Sequence, residues 1–184
     1  MCWQIWCRRA IVRPCRTVDL GCGAGTYAIY LAGLGFDVTG VDSSPAAIRI
    51  AQDHAKKRGA RCRFVVADLL GDLHEVTGTF DFAYDGELLR HIFPEDREAY
   101  IRNVHKITNP GALYFSVCFN ESDPRFGGNG KYRPARIGTT LYFSSESEIR
   151  DLTSPYFDIG ELKTIEVKSR FGPHRAVYLL AERR

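Results

Sequence analysis

Apolar residues along this chain come in short runs, several stopping on an acid, with longer amphipathic stretches between them. The runs Cys15 to Leu20, Asp37 to Val41, Arg61 to Ala67 and Phe80 to Tyr84 predict strands, the last three closing on Asp42, Asp68 and Asp85. Between them, Ala24 to Leu34 carries Ala28, Leu31, Ala32 and Leu34 at helical spacing and stops at Gly35. Ser43-Ser44-Pro45 supplies an N-cap and a first-turn proline for a helix over Ala46 to Arg58. Lys56, Lys57 and Arg58 suit the negative end of that helix, and Gly59 ends it. Glu87 to Ile92 and Glu95 to Thr108 also read as helical, the second with Tyr100, Ile101, Val104 and Ile107 as its apolar stripe. After a turn at Asn109-Pro110-Gly111, Ala112 to Phe119 is a near-continuous apolar run, as expected of a strand buried on both faces.

Five strands alternating with helical segments call for a parallel sheet covered on both sides. The remainder changes rhythm. Asn120 to Thr140 is polar, glycine-rich and basic, an inserted loop, and Ser144-Ser145 then caps a short helix to about Leu152. Tyr156 to Val167 and Ala176 to Ala181 read as two strands joined by a short turn around Gly172-Pro173, too close together for a parallel crossover. The expected architecture is α/β, a Rossmann-like, doubly wound, seven-stranded sheet, mostly parallel, with a C-terminal antiparallel strand pair. No linker divides residues 1–184, so one domain is expected, with a short N-terminal cap (1–16) and the basic loop (120–140) as additions.

Composition narrows the classes. Apolar residues make up 45% and charged residues 26%, with a net charge of +3, too mild to argue for a nucleic-acid partner. No stretch approaches membrane length, and the apolar residues near the N-terminus are too interrupted for a signal segment. Six cysteines without a C-x-x-C pair speak against zinc or a disulfide framework, and no metal is expected. Gathered near the N-terminus, Cys2, Cys7 and Cys15 could instead form a soft thiolate site. Reduced thiols fit a cytoplasmic protein.

The chemistry concentrates in Asp19-Leu20-Gly21-Cys22-Gly23-Ala24-Gly25, a strand end, tight turn and helix start that bring backbone N–H groups close to a ligand. Glycine is required where a Cβ would block the backbone angles or the ligand. A dinucleotide site has the spacing G-x-G-x-x-G, whereas here the third glycine comes one residue early. Asp19 would repel a pyrophosphate but suits a cationic ligand. Asp42, 21 residues beyond Gly21, stands where a carboxylate can accept both ribose hydroxyls. Alone, Asp42 and Asp68 would each pass for a helix N-cap; behind Asp19 and the glycines they read as a nucleoside site.

From about Thr17 to Phe119 these residues resemble the class I S-adenosylmethionine-dependent methyltransferases, of the small-molecule type. Asp19 to Gly25 is similar to the family's first motif, which implies cofactor contacts from Asp19, Gly21, Cys22, Gly23 and Gly25. Val41-Asp42-Ser43-Ser44-Pro45 resembles the second, in which Asp42 would hold the ribose hydroxyls with Ser43 beside it. Ala67-Asp68-Leu69 resembles the third, implying that Asp68 accepts from the adenine amino group and Leu69 flanks the ring. Phe80 to Asp85 resembles the fourth, at the mouth of the substrate pocket, with Tyr84 on the cofactor side. The implied cofactor is S-adenosyl-L-methionine and the implied partner a small-molecule methyl acceptor. Family members carry a longer helical segment before the first motif, whereas 18 residues rich in Trp, Cys and Arg precede Asp19 here. A homodimer that covers the open cofactor site is therefore one expectation.

Methyl transfer is an in-line displacement at a sulfonium carbon, in which positioning and exclusion of water dominate. A base is needed only where the nucleophile carries a proton. Asp85, at the carboxyl end of the fourth strand, and His91, which titrates in the useful range, are the candidates. Arg125, Lys131, Tyr132 and Arg133 form a candidate substrate loop for an anionic acceptor, with a solvated loop as the alternative. The acceptor atom, whether oxygen, nitrogen, sulfur or a metalloid, stays open. Two other readings are a methyltransferase-like binding protein that has lost catalysis and a dinucleotide-dependent oxidoreductase.

Overall fold

In a computed structural model of the protein, residues 12–127, 130–135, 138–169 and 172–184 are described. Among the described residues, nine strands and four α-helices follow in the order β1 (Arg16–Leu20), α1 (Thr26–Gly33), β2 (Asp37–Asp42), α2 (Pro45–Arg58), β3 (Cys62–Val66), β4 (Phe80–Gly86), α3 (Pro94–Ile107), β5 (Thr108–Phe119), β6 (Tyr132–Pro134), β7 (Thr140–Tyr142), α4 (Glu146–Thr153), β8 (Phe157–Ser169) and β9 (Gly172–Arg183). Seven strands form one sheet in the order β3-β2-β1-β4-β5-β9-β8, and β6 pairs with β7 in a separate small hairpin. The first five are parallel; β9 runs against both β5 and β8, so only β9 is reversed.

Each central strand is buried on both faces, which is why its sequence reads as a continuous apolar run. Tyr100, Ile101 and Val104 of α3 and Ile149 of α4 cover one face, against Val18, Ala83 and Tyr114. Ala28 and Leu31 of α1 cover the other, against Val38, Tyr84, Phe115 and Tyr178. Local chemistry sets the helix ends as the residues foretell. The Ser44 hydroxyl accepts from the Ala47 N–H at 3.2 Å with Pro45 in the first turn, and Gly59 closes α2 at φ 63°. Ser145 and Glu148 cap α4 reciprocally.

Besides the β6–β7 hairpin, which stands where a loop is expected, three elements differ from expectation. Glu87 to Ile92 supplies only a 3-10 turn over Leu89–His91, because Glu87 adopts a left-handed backbone at φ 75° that no helix admits. β5 begins at Thr108 rather than after Gly111: Thr108 already pairs with Phe80, and Asn109-Pro110-Gly111 is taken up by a register shift. Gly172 and Pro173 belong to β9, opposite Ser169 and Lys168, instead of forming the turn. The N-terminal cap falls mostly outside the described residues, and Cys2 and Cys7 fall there entirely; Val12 and Cys15 pack against the sheet. Among the described residues the four cysteines are free, no acidic, histidine and cysteine cluster could hold a metal, and no helix is long and apolar enough to cross a membrane.

The chain order reverses at the β1–β4 junction, and ligands of open α/β sheets bind in the crevice such a reversal opens at the carboxyl edge.

Candidate active site

At that junction the β1–α1 turn holds Gly21, Gly23 and Gly25, all left-handed at φ 70°, 52° and 74°. Their surroundings differ. A Cβ on Gly21 would stand 2.7 Å from a Leu88 methyl, and one on Gly25 2.9 Å from both Ala51 and Phe64, whereas a Cβ on Gly23 would meet nothing within 4 Å. Two glycines are therefore needed for packing, and the middle one leaves its backbone open. The Cys22 N–H donates to Val41 O at 2.9 Å, which fastens the turn to β2.

Acids arrive at this edge from successive strands. Asp42 accepts from the Gly23 N–H through Oδ2 and from the Ser44 N–H through Oδ1, both at 2.9 Å. A carboxylate offers about four lone-pair positions, so each oxygen keeps one. Asp68 is exposed, and its Oδ1 accepts from Leu70 N–H at 3.0 Å. Ser43 is exposed beside Asp42.

Asp19 takes another role. It is 1% exposed, and its Oδ2 accepts from the Ala28 N–H at 3.1 Å, which ties β1 to the first turn of α1. Burial, followed by the nearby Asp85 and Asp42 charges, outweighs that hydrogen bond and raises its pKa to about 7. In the folded chain this carboxylate acts as a helix clasp, turned inward at the head of the glycine turn. Cys22 is likewise buried, with burial pushing its thiol well up.

Asp85 departs furthest from expectation. It is fully buried, and its carboxylate accepts from the Leu88 N–H at 2.7 Å and from the Tyr100, Ser116 and Tyr114 hydroxyls at 3.1, 3.2 and 3.4 Å. Burial raises its pKa to about 6 against these donors. With its acceptor positions turned inward, it anchors the end of β4 rather than facing a substrate. Tyr84 is also buried, stacked on Phe115 with ring centroids 5.5 Å apart, and Leu69 lies in the core at 7% exposure. Neither side chain lies open to a ligand as expected.

His91 is exposed on the 3-10 turn, and its Nε2 accepts from Arg90 Nε at 3.1 Å. Desolvation, then the Arg90 charge, lowers its pKa, which favours the neutral ring.

The loop cations are engaged within the protein. Arg133, 3% exposed, donates to the carbonyls of Gly130, Asp123, Arg125 and Glu121 and stacks on Phe143. Lys131 bridges Glu148 at 2.8 Å and Glu121 at 3.2 Å, and Arg125 donates to Gly172 O. Tyr132 is 56% exposed, edge-on to Tyr142. The basic residues thus hold the loop together, and of the four only Tyr132 projects freely.

The arrangement is a glycine turn open at Gly23, with Asp42 and Asp68 at the same edge of a sheet reversal. Residues 17–111, just over half of the chain, match the family model described as a methyltransferase domain. The chain belongs to that methyltransferase family. It is 30% identical over 148 residues to a 2-heptyl-1-hydroxyquinolin-4(1H)-one methyltransferase of Mycobacteroides abscessus, a match covering 79% of this chain and 60% of that protein. The chain spans between 41% and 60% of the length of the curated relatives it matches. A SAM-dependent methyltransferase from Methanosarcina mazei shares the fold with a TM-score of 0.82 at 23% identity, over 96% of both chains. So does the magnesium protoporphyrin IX methyltransferase of Synechocystis PCC 6803 crystallised with SAM: TM-score 0.71, 22% identity, 98% of this chain and 76% of that one.

This methyltransferase family uses S-adenosylmethionine, and the dinucleotide reading gives way to it. The residues present fit that cofactor, because a Cβ would fill the open space at Gly23, and Asp42 and Asp68 both retain acceptor capacity. Several contacts of the site escaped the sequence. His54 Nδ1 lies 3.1 Å from Ala24 O and steadies the glycine turn from α2. Asn103 donates to Leu69 O and Gly71 O, fixing the loop after β3. Arg97, 5% exposed, donates to Leu89 O, Ile92 O and Ser144 Oγ, each at 2.9 Å. An i, i+4 pattern on a helix could flag none of these, since each partner lies on another element.

Proposed function

We propose that the chain transfers a methyl group from S-adenosylmethionine to a small-molecule acceptor, with the cofactor lying across Gly23 between Asp42 and Asp68. The observation that supports this best is the unequal packing of the glycine turn: the outer glycines are walled in, and Gly23 alone faces open space. When bound, the cofactor supplies a methyl carbon on a sulfonium sulfur, already a strong leaving group. What this chain's residues add is placement. The Gly23 backbone permits close approach, Asp42 accepts ribose hydroxyls, Asp68 accepts from the adenine amino group, and the Asp85 network holds the β4 end rigid beside them.

The relatives named as methyltransferases of a hydroxyquinolone and of ubiquinone biosynthesis favour a hydroxylated ring as acceptor. Titration calorimetry with S-adenosylhomocysteine tests the cofactor half; binding in the micromolar range, about −8 kcal/mol, is expected. A folded chain that binds neither the product nor S-adenosylmethionine overturns the reading. Consumption of S-adenosylmethionine with 2-heptyl-1-hydroxyquinolin-4(1H)-one as first acceptor tests the other half.

A further inference from the structure

Among the described residues Tyr132 is the most exposed large apolar side chain, more so than Ile50, Leu34 and Val66. It stands on β6 directly opposite Tyr142 of β7, and the two rings meet nearly at right angles with centroids 4.9 Å apart. Tyr142 is itself buried and rests on the Arg97 guanidinium. From a different element, Phe93 meets Tyr132 with centroids 5.7 Å apart and planes 46° apart. An exposed ring held by two neighbours has little rotamer freedom left to lose when a ligand stacks on it.

Phe93 stands out for an independent reason. It occupies the N-cap of α3, extended at φ −79° and ψ 160° with Pro94 in the first turn, and its side chain makes no cap hydrogen bond. Serine, threonine, aspartate or asparagine would satisfy a free N–H of the first turn there. A position that breaks a local rule with no gain to its own helix is where function is expected.

Both rings hang from the path that leads away from the glycine turn. Leu88 seats against Gly21, where a Cβ would stand 2.7 Å from its methyl, and the chain reaches Phe93 five residues later through the 3-10 turn. Arg97 takes up Leu89 O and Ile92 O along that path. It also reaches Ser144, whose N–H donates to Phe119 O at the carboxyl end of β5. One buried guanidinium thus mounts both rings, Phe93 through the turn and Tyr132 through Tyr142. The flanking charges are paired off, Lys131 with Glu148 at 2.8 Å, so the exposed part is aromatic. Two rings fall far short of the area that a protein partner buries but match one planar ligand ring.

We propose that Tyr132 and Phe93 form the stacking platform for an aromatic ring of the methyl acceptor and set the preference for it. This rests on the methyl-transfer reading and narrows its acceptor to molecules that carry the nucleophile on a planar ring. Stacking fixes the plane of that ring while the Gly21–Leu88 contact keeps the turn against the cofactor loop.

The test uses 2-naphthol and its saturated counterpart decahydro-2-naphthol, titrated by calorimetry into protein saturated with S-adenosylhomocysteine. Wild type is expected to bind 2-naphthol at least about fivefold more tightly than the saturated alcohol. Tyr132→Ala should weaken 2-naphthol at least about fivefold and remove the preference, while Tyr132→Phe keeps both. S-adenosylhomocysteine should bind all three chains alike. Phe93→Ser, which supplies a cap hydroxyl, should weaken 2-naphthol similarly without lowering the melting temperature. Undiminished 2-naphthol binding in folded Tyr132→Ala or Phe93→Ser, a loss in Tyr132→Phe equal to that in Tyr132→Ala, or a wild type without the preference overturns the proposal and leaves methyl transfer standing. So does a wild-type dimer that Tyr132→Ala converts to a monomer in sedimentation, which assigns the ring to a second copy. Wild type that does not bind S-adenosylhomocysteine overturns the methyl-transfer reading, and this proposal with it.

Discussion

Gly23 and Gly25 share a left-handed backbone but not a neighbourhood, and alanine should separate the two functions of the turn. Alanine at either position costs about 1–2 kcal/mol for the left-handed conformation. At Gly25 its Cβ also collides with Ala51 and Phe64, two packed side chains that cannot both retreat. At Gly23 it meets no protein atom and, under the proposed function, enters the space the cofactor would take. Gly23→Ala is therefore expected to weaken S-adenosylhomocysteine binding at least about tenfold, or 1.4 kcal/mol, with a modest loss of stability. Gly25→Ala should lose more stability, measured by thermal melting beside calorimetry. Equal effects on binding and melting in both variants would contradict this division. The glycines and Asp42 were legible because they answer to backbone geometry, which sequence spacing records. Asp85 and Tyr84 were not, since whether a residue at a strand's end turns inward depends on hydroxyls contributed by Tyr100, Tyr114 and Ser116 of other elements.

Among elements, those with a strong period were readable nearly to their ends, and those fixed by tertiary contacts were not. α2 and α3 carry clear stripes and local caps, and the βα alternation alone implied the parallel sheet. The 3-10 turn over Leu89–His91 has no such autonomy. It is held by the Leu88 N–H on Asp85 and by Arg97, whose buried guanidinium takes up the carbonyls of Leu89 and Ile92 and reaches Ser144 beyond β7. The turn, α3 and the loop after β7 are thereby one mechanical unit, and Tyr142 packs against the same guanidinium at 4.5 Å. Arg97→Met should leave two carbonyls and a hydroxyl without their donor inside the protein. Since each hydrogen bond to a charged group contributes about 1.5–3 kcal/mol, a loss of at least about 2 kcal/mol is expected. Urea unfolding should show a lower midpoint with an unchanged slope. A midpoint within error of wild type would mean that the unit is held elsewhere. The β6–β7 hairpin was read as a loop for a related reason: its order comes from Arg133, which looks in sequence like a solvated cation and is instead 3% exposed among carbonyls.

For the molecule as a whole, the two buried acids of the switch point set a pH dependence opposite to the common one. Asp19 and Asp85 have folded pKa values of about 7 and about 6, both above the ordinary 3.8. Below pH 3.8 both are protonated in the folded and unfolded chain, and neither costs anything. As pH rises beyond that value the unfolded chain loses these protons while the folded chain keeps them, so the folded state binds more protons and stability falls with pH. The decline ends once pH passes about 7, where Asp19 ionises in the folded state too. Each pKa unit corresponds to about 1.4 kcal/mol, so the combined rise of roughly five units acts on the order of 7 kcal/mol. Glu148 runs the other way: its pKa of about 2 reflects burial outweighed by Lys131, the Ser145 N–H and Tyr142, and its contribution is lost as pH falls below 4.5. Asp19→Asn separates the effects, because the amide oxygen can still accept from the Ala28 N–H without a charge. The stability of this variant relative to wild type should rise steadily between about pH 4 and 7 and then level off, as measured by chemical denaturation at each pH. A difference that stays flat across that range would mean that Asp19 is solvated and ionised in the folded protein, and the helix clasp at the head of the cofactor turn would have to be reassigned.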